Sequence, residues 1–309
     1  MPLCFGSKDD EEPKDEYDQI PFGLKWRMHW GKKETDPRTG EAVLRLSNNR
    51  IIKTHCANTE YQALLLIDRH TSVPSYKVLA VYNRPEGKLV EYEAYPGKPL
   101  DQVWPTMSAH KQNKVVADLG RFVEQLRKMQ PPKQCVVGDA TLGAALDHRF
   151  GSGRIGPFFS IEAFQEFERR GHPADHFPEK EIQMVHAPKK PYQLKFTHAS
   201  LCPQNILVDD AGRICALVGW ESAGWYPEYW EYTQMCHLTP KTMGDWLEAM
   251  RRVMPAYDQE LACEEALRAR YTSSIYDAPR SVRAPSPSPS QLLAEQQEID
   301  DKNTEDTSG

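Results

Sequence analysis

The sequence predicts an α+β chain of two lobes, a small β-rich lobe followed by a larger, mainly helical lobe. Strand-like runs separated by turn residues fill most of the first hundred residues, and amphipathic helical stripes dominate after Pro99. One strand–turn–strand pattern interrupts the helical part. With 309 residues, 39% of them hydrophobic, the chain can bury a large core. We place the lobes at residues 19–94 and 95–277.

The two ends of the chain differ from the body. Residues 1–18 are charged and poor in apolar side chains, and residues 278–309 contain the run APSPSPS and an acidic end. Segments of this composition bury too little apolar surface to offset their ordering entropy, so we predict disorder in both. Between them, residues 22–40 mix aromatic and basic residues, and either a short helix with a loop or a partner-binding arm fits this pattern.

The β-rich lobe is predicted from two hairpins and one helix. The runs AVLRL and RIIKT flank Ser47-Asn48-Asn49, and KVLAVYNR and GKLVEYEAY flank a turn at Gly87. Asn58 or Thr59 can cap a helix through EYQALLLIDRH.

The helical lobe is predicted mainly from one long amphipathic stripe, which ends at Pro131-Pro132. Further helices are expected in IEAFQEFERR, KTMGDWLEAMRRVM and QELACEEALRARY, and a hairpin joins NILVD to RICALVGW around Asp210-Ala211-Gly212. The stripe consists of Val115, Val116, Leu119, Phe122, Val123, Leu126 and Met129.

Composition favours an intracellular protein with a small-molecule or protein partner. The 38 basic and 44 acidic residues give a net charge of -6, so no nucleic-acid partner is expected. No run of about 18 apolar residues could cross a membrane, so no membrane partner is expected, and the acidic N-terminus does not look like a signal peptide. The seven scattered cysteines include no CxxC pair, which indicates reduced thiols and a cytoplasmic location.

The order of the lobes, together with Lys53 and Glu60, predicts a bilobal protein kinase-like fold. Lys53 ends a predicted strand, and Glu60 lies near the start of the next helix. A lysine held by a helix-borne glutamate is how kinase folds direct an ammonium group at nucleotide phosphates. Because both residue types are common on surfaces, this pair alone is a weak indicator.

A more specific pattern surrounds the embedded hairpin. His198 and Asn205 flank a short loop in FTHASLCPQNILVD, and the hairpin's second strand ends at VGWE. This stretch resembles the aminoglycoside phosphotransferase and choline kinase-related family, in the form common among fungal proteins, where the loop reads HGDLxPxNILVD and the strand ends in DWE. NRIIKTH, YEAYPGKPLDQVW and GPFFSIEAFQEF also resemble family segments, so the likeness covers roughly residues 41 to 235.

The resemblance implies roles for individual residues. Lys53 would contact nucleotide phosphates, Glu60 would hold Lys53, Asn205 would be a magnesium ligand, and His198 would be structural. The backbone of four residues would meet the adenine edge: Glu91, Tyr92, Glu93 and Ala94.

Two positions depart from the family pattern. Ser200 stands where the family has the catalytic-base aspartate, and Gly219 stands where it has the main metal-ligand aspartate. A serine hydroxyl cannot accept a proton near neutral pH, and a positioned base contributes about 10² to 10⁴ in rate. Glycine supplies no ligand for the Mg²⁺ that neutralises the phosphates. We therefore predict a catalytically degenerate member that acts as a binding or regulatory protein, with weak ATP binding through Lys53 and little support for Mg²⁺.

Several alternatives stay open from the sequence. Glu221 could replace the missing metal ligand, although the family has glutamate there as well as the aspartate. An active ATP-dependent O-phosphotransferase, or a repurposed transferase acting on a small hydroxylated molecule, for example in fungal specialised metabolism, is the second hypothesis. A drifting paralogue with no selected activity is the third.

Other acids and histidines are interpreted structurally. Asp209 and Asp210 suit a turn, and Asp139 and Asp147 suit loop capping. His172 and His176 have metal-pair spacing, but Pro173 makes a helix through them improbable. Ser200 with His198 lacks a third group for nucleophilic catalysis. An aromatic cluster is interpreted as core packing rather than a ligand cage: Trp220, Trp225, Tyr226, Tyr229, Trp230 and Tyr232.

Overall fold

The computed structural model describes residues 19–35, 42–47, 49–56, 58–85, 87–133, 135–147, 153–188 and 191–271. The two predicted disordered ends, residues 1–18 and 278–309, lie outside the described residues. No helix in the described part of the chain has the length and apolar character needed to span a membrane.

The β-rich lobe is an antiparallel sheet of five strands in the order β1-β2-β3-β5-β4. In β2 and β3, Val43 pairs with Lys53, and Lys53 in turn pairs with Val90 of β5. Both predicted hairpins are confirmed. The strands are β1 Lys32–Thr35, β2 Ala42–Leu46, β3 Arg50–Cys56, β4 Lys77–Arg84 and β5 Gly87–Glu93.

Two helices cover opposite faces of this sheet. Helix α1 (Phe22–His29) packs Leu24 against Ile52 and Leu89, whereas α2 (Asn58–His70) joins Ile51 and Val90 in the main core. Because successive side chains of a strand point to opposite faces, Ile51 and Ile52 belong to different layers. The residues 22–29 that sequence alone left open therefore form a helix on the sheet's outer face.

The long stripe of the helical lobe forms α4 (Ala109–Lys128), capped by Ser108, whose Oγ accepts from Lys111 N at 3.4 Å. Its buried residues are five members of the predicted stripe, and Phe122 and Met129 pack partly buried against the same core. The other helices are α3 Leu100–Val103, α5 Ile161–Glu168, α6 Lys180–His186, α7 Trp230–Leu238, α8 Gly244–Met250 and α9 Asp258–Tyr271.

Short strands complete the helical lobe. The predicted embedded hairpin is confirmed, and it pairs with β6 directly after the β-rich lobe in the order β12-β11-β6. The strands are β6 Lys98–Pro99, β7 Gly138–Asp139, β8 Ala145–Leu146, β9 Arg154–Ile155, β10 Leu194–Thr197, β11 Ile206–Val208, β12 Ile214–Leu217 and β13 Gly224–Pro227. The aromatic cluster is fully buried, which agrees with its interpretation as core.

Candidate functional site

A cleft of about 480 Å³ lies between the two lobes. Val43 and Ile51 of the β2–β3 hairpin form one wall, and Leu207 and Leu217 of the β11–β12 hairpin form the opposite wall. Ligand pockets in proteins typically measure about 300 to 1,000 Å³ and are mostly apolar with a few polar groups. This cleft therefore suits a flat apolar ring system held between two hairpins.

Lys53 and Glu60 meet at this cleft. The Lys53 ammonium Nζ lies 2.8 Å from both carboxylate oxygens of Glu60, and both side chains are buried. Strand β3 ends at Cys56 and α2 begins at Asn58, so Glu60 sits in the first helical turn and reaches back to the strand. Because buried charges are costly unless paired, the ion pair holds the ammonium in a defined position on the cleft wall.

Cys56 is a neutral neighbour of this ion pair. Its Sγ lies 2.9 Å from the Tyr92 hydroxyl and 3.6 Å from Glu60 Oε2. Burial, with the charge of Glu60, raises the pKa of the Cys56 thiol to about 12. Cys56 therefore stays protonated at neutral pH and is not a reactive thiolate.

The backbone of the predicted adenine edge forms hydrogen bonds within the sheet. Strand β5 lies between β3 and β4, which use its backbone groups, and Ala94 N donates to Asn49 O at 2.7 Å. The residues first assigned to this edge do not line the cleft: Glu91, Tyr92, Glu93 and Ala94. Gly97 and Pro99 line it instead.

Gly97 brings the two walls close together. A Cβ atom added there would lie 3.0 Å from Leu207 Cβ, so the connection between the lobes packs directly on the β11 wall. A larger residue at this position would push the walls apart.

Two polar residues of the cleft lining, Asp101 and Gln204, were missed by sequence reasoning. Asp101 Oδ1 and Gln204 Oε1 are buried atoms that have no hydrogen-bond partner among the described residues, and both residues line the cleft. Because these two oxygens are closed off from solvent, a ligand in the cleft does not reach them in this arrangement of the side chains. The sequence carried only a weak signal for these two residues. Asp101 is a polar residue in the first turn of α3, and Gln204 directly precedes Asn205.

Gly219 lines the cleft where the resemblance placed a metal-binding carboxylate. Its backbone is left-handed, with φ 86° and ψ 45°, and it precedes a short 3₁₀ helix, Trp220–Ser222. Glycine adopts this conformation at no steric cost, and among other residues Asn and Asp tolerate it best. Glu221 is buried in that 3₁₀ helix and is not among the residues that line the cleft.

Asn205 holds the loop that precedes the hairpin. Its Nδ2 donates to Ser200 O at 2.7 Å, and its backbone N–H donates to Cys202 O at 2.9 Å. Mg²⁺ needs several oxygen ligands, usually including carboxylates. Of the predicted ligand positions Asn205, Gly219 and Glu221, only Gly219 lines the cleft. Glycine supplies no side-chain oxygen, so these three positions do not form a Mg²⁺ donor set there.

Ser200 lies outside the large cleft. It lines a separate cavity of about 40 Å³ together with Asp147, Ser222 and Gln234. Its backbone N–H donates to Nδ1 of His198 at 3.2 Å. The His198 ring is buried and packs against Trp220, with ring centroids 4.2 Å apart.

Glu231 anchors the same loop and was missed by sequence reasoning. Its carboxylate accepts from the backbone N–H of His198 at 2.7 Å and of Ala199 at 3.2 Å. Ala199 has φ 61°, an uncommon conformation for a non-glycine residue that the surrounding contacts must hold. The available signal was an acidic residue inside the apolar and aromatic run of α7.

We expect the loop anchor to make stability depend on pH. Burial raises the pKa of Glu231 from 4.5 to about 7, against the two backbone donors that favour the carboxylate. Between pH 4.5 and 7 the folded state therefore binds more protons than the unfolded state. The protonated Glu231 contributes its full share of the free energy of unfolding below pH 4.5, and this share is lost as the pH rises through 7. One pKa unit corresponds to about 1.4 kcal/mol, so the loss is about 3 kcal/mol.

The comparison with Glu231→Gln isolates this effect. The free energy of unfolding, measured in urea at pH 5 and pH 8, should fall more with rising pH in the unmodified protein than in Glu231→Gln. Equal pH dependence of both proteins would show that Glu231 is not responsible.

The predicted turn acids behave as turn formers. Asp139 Oδ1 accepts from the N–H and hydroxyl of Thr141 and from the N–H of Gly143, each at 2.8 Å. Asp209 accepts from Arg213 N at 2.8 Å and Nε at 2.7 Å. His172 and His176 stack their rings 4.7 Å apart in a segment with no α-helix among its described residues.

A buried trio of Glu168, His186 and Glu264 also brings potential metal ligands within 4.8 Å of one another. Arg169 Nη1 lies 2.8 Å from His186 Nδ1, and because arginine only donates, Nδ1 is the acceptor. Burial lowers the pKa of His186 to about 3, so the ring is neutral and its proton sits on Nε2. The nitrogen that faces the two glutamates is therefore not free to coordinate a metal.

Comparison with known proteins identifies relatives of this fold. The model of the phosphotransferase enzyme family matches residues 32–263. No curated protein matches the sequence.

Three similar solved structures are phosphotransferases. Macrolide 2'-phosphotransferase MphH from Brachybacterium faecium is 16% identical, with 85% of this chain and 90% of that chain covered and a TM-score of 0.50. The streptomycin–ATP–APH(2")-IIa ternary complex is 10% identical, with 91% and 96% covered and a TM-score of 0.51. ADP-bound aminoglycoside phosphotransferase APH(2'')-Ib is 10% identical, with 90% and 94% covered and a TM-score of 0.52. These similarities confirm the predicted fold.

Proposed function

The chain belongs to the phosphotransferase enzyme family, and we propose that it binds a nucleotide without efficient phosphoryl transfer, as a binding or regulatory protein. The observation that carries this proposal is an interlobe cleft that keeps the buried Lys53–Glu60 pair but has glycine at position 219.

One part of the cleft has the side chains that a bound nucleotide would need. Val43, Ile51 and Leu217 offer apolar walls for a base, and the Lys53 ammonium suits phosphates. Asp101 and Gln204 add polar side chains to the lining of the same cleft. Two of the similar structures hold ATP and ADP, which supports nucleotide binding in this chain.

Two carboxylates that phosphoryl transfer would use are missing, one at position 219 in the cleft and one at position 200 outside it. When bound, ATP supplies a transferable γ-phosphoryl group, and Mg²⁺ ordinarily neutralises charge on it. Gly219 provides no ligand, and Glu221 does not line the cleft. Ser200 can hydrogen-bond a hydroxyl but cannot take its proton at neutral pH. The missing groups, a catalytic base and a metal ligand, act together in catalysis, so phosphoryl transfer should be very slow.

ATP should stabilise this protein in a metal-independent way. At an ATP concentration about tenfold above Kd, binding to the folded state alone raises the free energy of unfolding by about 1.4 kcal/mol. This corresponds to a Tm rise of about 3 to 5 °C. Because the donor set does not fit Mg²⁺, adding the metal to ATP should leave this shift unchanged. Thermal unfolding with ATP and EDTA, with ATP and Mg²⁺, and with Mg²⁺ alone makes the measurement. A shift seen only with ATP and Mg²⁺ together would contradict the proposal.

One observation favours a second candidate, a slow but genuine O-phosphotransferase. Asp147 is buried and lines the same small cavity as Ser200, so a carboxylate lies near the position where the family has its base. Asp147 could then accept a proton from a hydroxylated substrate. ATP turnover by the unmodified protein that disappears in Asp147→Asn, with folding retained, would favour this candidate over the first.

A further inference from the structure

Helix α1 carries apolar stripes on two opposite faces. The inner stripe packs against the β-sheet, whereas the outer stripe faces solvent. The two stripes are offset by two residues, about 200° around a helix, and each repeats every fourth residue. The inner stripe is Ile20, Leu24 and Met28, and the outer stripe is Phe22, Trp26 and Trp30.

The outer stripe belongs to none of the hydrophobic core clusters of the described residues, and the Trp30 ring meets the His29 ring edge-on at 5.1 Å. Phe22, Trp26 and Trp30 are 83%, 60% and 72% exposed, the three most exposed large hydrophobic side chains in the part of the chain that is described. A surface helix ordinarily has one apolar face, and a contiguous exposed patch marks an interaction site. The helix precedes residues 32–263, which match the family, so the family match assigns it no role.

The outer stripe is held in place from beneath. Arg27 Nη2 donates to Glu91 Oε1 at 3.1 Å, and Arg50 Nη1 donates to the same oxygen at 2.7 Å. Leu24 is buried against Ile52. This attachment orders helix α1, which carries the aromatic side chains, before any partner binds. The entropic cost of docking is therefore lower.

The charge around the stripe is positive. Residues 19–33 contain no aspartate or glutamate, whereas the whole chain has a net charge of -6. Lys25 and His29 of α1 and Lys33 of β1 are exposed, whereas Arg27 pairs with Glu91 and Lys32 with Glu34. A complementary partner surface must therefore combine an apolar centre with acidic residues at its rim.

We propose that the outer stripe of α1 is a docking site for an acidic protein with an apolar groove, of the kind that calcium-loaded EF-hand sensors expose. Aromatic anchors at every fourth residue span about 12 Å and suit the binding of a helix in a groove. The methionine-rich groove of such sensors accepts large aromatic anchors, and their acidic rim matches the lysines.

The observations favour a protein over a membrane. An anionic bilayer also accepts aromatic and basic helices. A single short anchor, however, holds a membrane only marginally. The proposal is independent of nucleotide binding in the cleft.

Calcium-loaded calmodulin, titrated with the full-length protein by calorimetry, is the probe. We expect binding in Ca²⁺ that disappears in EGTA. Trp26→Ala/Trp30→Ala should weaken it at least about tenfold, because buried tryptophans dominate such interfaces. Lys25→Glu/Lys33→Glu should also weaken it and reduce its dependence on salt.

Phe159→Ala is the matched control, because Phe159 is an exposed aromatic residue of the helical lobe. It should leave the Kd unchanged, and thermal unfolding should show that all variants fold. The proposal is overturned if Kd is weaker than about 100 µM, if the tryptophan variants bind as tightly as the unmodified protein, or if phosphatidylserine vesicles are bound and calmodulin is not.

Discussion

Ser200→Asp/Gly219→Asp is expected to hydrolyse ATP at least about 10²-fold faster than the unmodified protein, in a Mg²⁺-dependent reaction. The aspartate at 219 would lie on the wall of the cleft that holds Lys53, and so would give Mg²⁺ a carboxylate. The aspartate at 200 would supply a group that can accept a proton. The gain should exceed that of either single variant, because base and metal act together.

The backbone at both positions allows this experiment. Gly219 has φ 86°, a left-handed conformation that aspartate tolerates at a cost of about 1 kcal/mol. Ser200 is buried beside a small cavity, so one extra carboxyl oxygen has some room. A modest fall in Tm is therefore expected, without unfolding.

The control is Ser200→Asn/Gly219→Asn, which matches size and conformational preference but has no carboxylate. It should remain as slow as the unmodified protein in a steady-state assay of ADP release. If the unmodified protein already turns over ATP as fast as the double aspartate variant, the degenerate assignment is wrong.

Lys53→Met is expected to lower the free energy of unfolding by about 3 to 5 kcal/mol and to abolish stabilisation by ATP. Lys53 and Glu60 are 5% and 6% exposed, so removing the ammonium leaves a buried carboxylate without its partner. The stability loss is measured by urea unfolding, and the nucleotide effect by the Tm shift with ATP.

Lys53→Met/Glu60→Leu separates the two consequences. Replacing a buried ion pair by apolar residues of similar volume is often nearly neutral, so the double variant should regain most of the lost stability. It should still show no ATP shift, because the ammonium that suits the phosphates is gone. A normal ATP shift in this variant would remove Lys53 from the proposed nucleotide site.

Much of the fold was predictable because its signals are local. The turn residues around positions 48 and 87 and the stripe of α4 each occupy fewer than 25 consecutive residues, and the structure has the predicted hairpins and helix there. The shortest strands, such as β7 and β8 with two residues each, carry no periodicity and were not predicted.

The candidate site was predictable only in part. Lys53 and Glu60 lie seven residues apart across one strand–helix connection, and the structure brings them within 2.8 Å. A strand pattern does not reveal that neighbouring strands and Asn49 pair with the backbone of residues 91–94, nor that Gly97 and Pro99 line the cleft.

By itself, the sequence determined the residue chemistry of this protein: a lysine–glutamate pair, an asparagine loop, and serine and glycine at the two positions where the family has aspartates. Only the tertiary structure decided that Ser200 lies outside the large cleft, that Glu231 holds the loop from 33 residues away, and that Arg27 reaches Glu91 across 64 residues. The physical reason is that residue type and periodicity act along a few turns of chain, whereas burial and hydrogen bonding depend on which distant segments pack together.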